Sequence, residues 1–118
     1  VPKGHKPYTI STSEEAEQKL VNPVELTDEI LKRGQQQFYT YCFVCHGALG
    51  EGNGPVAEKM LAKPPSLLSE KIRGWKDGGI YHMITSGRGL MGSMASQIPN
   101  EEDRWAIVHF IRHLQENN

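Results

Sequence analysis

The chain has 118 residues, a length that fits one domain. Hydrophobic residues make up 37% of it and mean hydropathy is −0.53, so a core of side chains alone would be lean. With 12 glycines and 7 prolines as well, this composition points to a large apolar group bound at the centre. A formal net charge of −1 and a pI near 6.6 exclude a global field for nucleic acid or an anionic membrane.

Residues 1–26 are polar, contain Pro2, Pro7 and Pro23, and hold one weakly helical run from Ser13 to Leu20. They read as an extension lying over the domain or as a tether, and residues 27–118 as the domain itself. No n-region and h-region open the chain, so Val1 is read as a mature or trimmed start, compatible with a lost signal peptide or a lipid-bearing terminus. From Thr27 the pattern firms. Thr27 is placed to cap a helix whose first turn carries Asp28 and Glu29, and Ile30, Leu31, Phe38 and Tyr41 give it helical-period apolar positions out to about Tyr41. Gly47 to Gly54 is a glycine-rich loop. A short helix is predicted from Pro55 to Leu61, stopped by Lys63-Pro64-Pro65. Another is predicted from Asp77 to Ser86, ended by Gly87. Asn100, followed by Glu101, Glu102 and Asp103, starts a last helix whose apolar face is Ile107, Phe110, Ile111 and Leu114. No strand-like alternation, internal repeat or apolar run near the ~18 residues of a membrane span occurs, so the expected fold is all-α with long ordered loops.

Both cysteines of the chain lie in one motif, Cys42-Phe43-Val44-Cys45-His46. The C-x-x-C-H pattern reads as c-type haem attachment: two thiols on a helical turn can each add to a porphyrin vinyl group, and the adjoining His is carried under the ring to bind iron. A structural zinc site would need a second ligand pair, for which His109 and His113 are the nearest approach. A thioredoxin-like pair would need a βαβ context, and a disulfide across two residues would be strained.

A second axial ligand is expected downstream, and a soft Met thioether would raise the potential relative to two histidines. Met60 and Met83 read as helix packing. Met91 and Met94 lie in the glycine-loosened stretch Gly87-Arg88-Gly89-Leu90-Met91-Gly92-Ser93-Met94, and ligand chemistry alone does not separate them. His82 is the other conceivable distal ligand, but a histidine at the surface or core edge is its simpler reading. His109 and His113 read as solvated, off the main apolar face. From Lys63 to Arg88, Lys63, Lys71, Arg73, Lys76 and Arg88 outnumber Glu70 and Asp77, which makes a solvated face or a docking rim.

From about Asn22 to Gln115 the chain resembles a class I c-type cytochrome. The resemblance rests on the first helix, Cys42-Phe43-Val44-Cys45-His46-Gly47, the loop Gly50-Glu51-Gly52-Asn53-Gly54 and the terminal helix from Trp105 to Leu114. Asn22-Pro23 and the tail GRGLMGSMASQIPNEEDRWAIVHFIRHLQ further resemble the monohaem cytochrome subunits of alternative complex III. The resemblance implies a cytochrome c fold wrapped around one covalent haem c. It gives Cys42 and Cys45 the thioether links, His46 the proximal bond and Met91 the distal bond, with Met94 as the rival because Gly92 stands where a Pro is usual. It implies that the carbonyl of Pro64 or Pro65 accepts from the proximal His, and that Arg88, or else Trp75 or Arg73, pairs with haem propionates. It also places Gly34 where the first and last helices cross, opposite a residue such as Phe110.

The function implied is one-electron transfer from a membrane quinol-oxidising complex toward a terminal oxidase, with no catalysis by the chain itself. A haem-based sensor or peroxidase with an open distal site is the alternative, and a haem serving as a folding staple is a third. Covalent haem c implies a periplasmic location, or the outer face of the cytoplasmic membrane, with peripheral or lipid-anchored association. The extension would help such docking.

Overall fold

A computed structural model describes residues 9–59, 66–87 and 91–117, the side chain of Val44 apart. Its helices are α1 (Ser13–Lys19), α2 (Asp28–Tyr41), α3 (Phe43–His46), α4 (Glu70–Arg73), α5 (Asp77–Ser86) and α6 (Glu101–Asn117), with one 3-10 turn at Ala57–Lys59. The described residues contain no strand.

Local chemistry accounts for the helix ends. The Thr27 hydroxyl accepts from the Ile30 amide at the start of α2, and Thr12 and Ser69 do the same for Glu15 and Ile72 in α1 and α4. Asn100 Oδ1 accepts from the Glu102 amide at 2.8 Å, ahead of the acidic first turn of α6. Gly87 ends α5 with a φ of 81°, a value that costs glycine nothing. The helix expected from Pro55 is reduced to the 3-10 turn as far as residue 59, and the remainder of that prediction lies outside the described residues.

The frame is the crossing of α2 and α6. Gly34 is buried there, and a Cβ on it would fall 2.1 Å from the Ala106 carbonyl oxygen and 3.1 Å from Phe110 Cβ. The two backbones therefore meet with no side chain between them, and the rings of Phe38 and Phe110 close the crossing at 5.2 Å. Outside it, Arg33 forks onto Asp103 at 2.8 and 2.9 Å, a half-exposed pair that contributes about 1 kcal/mol at most. Tyr41, expected on the apolar face of α2, is exposed instead. The α2 helix ends there and the chain turns into α3, so the next inward position falls to Cys42.

Helix α5 is buried along its whole length from Gly78 to Thr85. One side packs on α6, where Tyr81 stacks on Trp105 at 4.0 Å. The other side is covered by α1. A Cβ on Gly78 would lie 2.2 Å from the Ala16 carbonyl oxygen, so the glycine admits the α1 backbone directly, and Ala16 is wholly buried. The connector between α1 and α2 is fastened to α6: Asn22 Nδ2 donates to the Trp105 carbonyl, and His109 Nε2 donates to the Val24 carbonyl at 2.6 Å. His109, read as solvated, is thus half-buried with its Nε2 proton committed to the backbone.

Candidate functional site

The Cys42 amide still donates to Phe38 of α2, while the Cys42 carbonyl accepts from the amides of Cys45 and His46 in α3. One residue therefore joins the two helices and places both sulfurs and the imidazole on a single turn. The glycine loop then folds back on this turn. The Gly52 amide donates to His46 and the Gly54 amide to Cys45, so the carbonyls that end α3 are paired inside the structure. Gly47 has φ 83°, and a Cβ there would meet Asn53 Oδ1 at 2.2 Å, so a side chain is excluded for both reasons.

The electrostatics of the turn discriminate between chemistries. Both thiols are free; Cys42 is buried and Cys45 partly so. Burial, assisted by the neighbouring Cys45, pushes the Cys42 thiol up to about 12. A thiol so firmly protonated is a poor thiolate ligand and a poor partner in thiol–disulfide exchange, while a neutral thioether suits the same apolar surroundings. His46 is 8% exposed, and desolvation holds its pKa below the usual histidine range. Its imidazole is then neutral at neutral pH, the form that can ligate a metal. His46 Nδ1 is buried without a hydrogen-bond partner among the described residues. Pro64 and Pro65, expected to supply an acceptor carbonyl, lie outside those residues. Two thiols, a neutral buried imidazole and an orphaned ring nitrogen on one turn fit haem c, with Cys42 and Cys45 to hold it and His46 to ligate it.

Met91 and Met94 are both partly buried and packed against the main apolar cluster. The Met94 amide donates to the Ile84 carbonyl of α5 at 2.9 Å, and the Met94 carbonyl accepts from Ile98. A Cβ on Gly87 would lie 2.5 Å from the Met91 carbonyl oxygen, so that stretch presses on the end of α5. Met83 is buried within the core. His82 is also buried. Met60 and Arg88 lie outside the described residues.

Arg73 fastens the loop of α4 to the end of α6. Its guanidinium donates to the carbonyls of Leu68 and, at 2.6 Å, Gln115. Arg112 adds a 2.8 Å ion pair to Asp77 and a bond to the Trp75 carbonyl. These contacts dock the end of α6 on the loop around α4, where Gln115 Nε2 also donates to the Leu67 carbonyl. Arg104 is 6% exposed and escaped the sequence reading altogether. Its spacing from Val108, Ile111 and Gln115, all buried on α6, is the signal that places it inside.

A family model described as cytochrome c oxidase, cbb3-type, subunit III matches residues 29–111. The chain belongs to this family and is a class I c-type cytochrome. The matched span holds the C-x-x-C-H motif, Met91, Met94 and most of α6. Among solved structures, a chain of the reducing HAO-like protein complex of Kuenenia stuttgartiensis shares the fold, with a TM-score of 0.68 at 22% identity. The match covers 95% of this cytochrome and 52% of that chain, so the cytochrome spans about half of its structural relative. No curated protein matches the sequence.

Proposed function

We propose that this cytochrome is a one-electron carrier with one covalent haem c, held by Cys42 and Cys45 and ligated by His46 and Met91, with Met94 as the alternative ligand. The observation that carries the reading is the buried, neutral His46 on the same turn as the two thiols, its Nδ1 without a partner among the described residues. When bound, haem c supplies a ferric/ferrous couple. The chain's part is to keep that couple's surroundings unchanged as the electron passes. His46 is held at the end of α3 by backbone bonds and by the glycine loop, and Met94 is tied to α5, so neither side of the site needs to rearrange. The buried residues of α5 and α6 keep water away, which favours the less charged state and helps set the potential.

The fold relative belongs to an assembly, which supports a protein partner for this chain also. We place it between a membrane quinol-oxidising complex and a terminal oxidase, as a subunit like those of alternative complex III, working in the periplasm or on the outer face of the cytoplasmic membrane. No helix among the described residues is long and apolar enough to cross a membrane; peripheral or lipid-anchored association is part of the same proposal. The division into an extension, 1–26, and a haem domain, 27–118, belongs to the same reading.

Voltammetry of the holoprotein and two variants tests the site. The wild-type protein is expected to give a reversible one-electron wave without uptake of carbon monoxide. Met91→Ala is expected to lower the potential and admit carbon monoxide, while Met94→Ala leaves both unchanged. The reverse pattern reassigns the ligand to Met94. Carbon monoxide binding by the wild-type protein removes the carrier reading.

A further inference from the structure

Arg104 is more than nine-tenths buried, and the hydrogen-bond acceptors that face its guanidinium are neutral. Nη1 donates to the Thr85 hydroxyl at 3.0 Å, Nη2 donates to the Pro99 carbonyl at 3.1 Å, and Nε has no partner among the described residues. The cation also lies 5.5 Å from the centre of the Tyr81 ring, which stacks on Trp105. Burying a charge against neutral oxygens is costly, and a leucine would pack in the same place without that cost. A structural filler is therefore a poor account of an arginine here.

The two acceptors supply a better one. Thr85 is in the last turn of α5, and Pro99 stands just before α6; Met91 and Met94 lie on the chain between them. Thr85 is also the anchor of that chain, because Ser93 Oγ donates to its carbonyl at 2.5 Å and in turn accepts from the Ala95 amide. The planar fork of an arginine can bridge both ends at once, which a point-charge ammonium cannot. Resting on the His/Met reading above, we propose that Arg104 is a positioning residue. Its guanidinium closes the base of the segment bearing Met91 and Met94 and so keeps the distal thioether in place.

The test uses haem-loaded protein and compares wild type with Arg104→Leu, Arg104→Lys, Thr85→Val and Asp103→Asn. The last breaks the Arg33 contact one residue away and serves as a control for general loosening of α6. The readouts are the near-infrared thioether-to-iron band of the oxidised protein and the rate of carbon monoxide binding to the reduced protein. Arg104→Leu is expected to weaken the band and speed binding about ten- to a hundredfold, the ratio set by one hydrogen bond to a charged group. Thr85→Val, which keeps size and loses one acceptor, should move both readouts in the same direction by less, and Arg104→Lys should restore part of the effect. Should Arg104→Leu fail to fold, the Thr85→Val result decides. An intact band and unchanged binding in these variants overturn the proposal, as does an equal change in Asp103→Asn. A wild-type protein without the band overturns the His/Met reading itself, and the proposal with it.

Discussion

The double variant Cys42→Ser, Cys45→Ser is expected to carry no covalent haem, so that acid–acetone extraction strips it completely. Wild-type protein should keep its haem through the same extraction. Each single variant should retain haem through the remaining thioether. The expectation follows from the turn itself: one residue, Cys42, ends α2 and starts α3, and both sulfurs therefore share a rigid backbone frame with His46. The serine hydroxyl nearly matches the thiol in size, so loss of haem would reflect lost bonds and not lost packing. Folding should suffer as well, because the apolar side chains of this chain are too few to replace the group that fills its centre. Mass spectrometry of the denatured chains measures the outcome. Haem retained by the double variant, or extracted from the wild type, would show that the cysteines serve another purpose.

Gly34→Val is expected to cost more stability than any other glycine substitution in the described helices. Its Cβ would start 2.1 Å from Ala106 O and 2.7 Å from Ala106 C, both backbone atoms of α6. No rotamer relieves that overlap, so α6 has to move, and Phe110 and the Arg33–Asp103 pair move with it. Forced overpacking costs about 1–3 kcal/mol, and a branched side chain against a backbone belongs at the top of that range. The removal of a helical glycine returns less than about 1 kcal/mol of it. Set against a typical domain stability of about 5–15 kcal/mol, the net loss should lower the melting temperature by roughly 10 °C. Gly74→Ala is the comparison: Gly74 has φ −77° and its added Cβ would meet nothing nearer than 3.3 Å, so stability should stay level or rise slightly. Equal melting temperatures for Gly34→Val and wild type would mean that the two helices do not meet backbone to backbone.

The legible parts of this molecule are those written in short-range chemistry. Thr27 before Asp28, Asn100 before three acids, and Gly87 after an apolar run each announce a helix end through groups a few residues apart, and each is found there. The haem motif is local for the same reason. Helix α4 has four residues and the 3-10 turn three, too short to show a periodic pattern, and their packing on distant chain decides them. The contact of α1 with α5 rests on Gly78 and Ala16, which in sequence look like ordinary small residues. The roles of Arg73, Arg104 and His109 in holding backbone carbonyls have no local signature. Arg73 and His109 each hold a carbonyl of a segment far away in the chain, and Arg104 holds the carbonyl just ahead of its own helix. Long-range side-chain-to-backbone bonds leave no spacing to read, whereas the burial of Arg104 is given away by helical period.

The central claim, a six-coordinate His/Met electron carrier, is tested most directly by visible and near-infrared spectra of the holoprotein, oxidised and reduced, with and without carbon monoxide. A weak thioether-to-iron band in the oxidised state and no response of the reduced protein to carbon monoxide is the predicted result. Absence of that band with rapid carbon monoxide binding would contradict it and make the protein an open-site haem sensor or peroxidase.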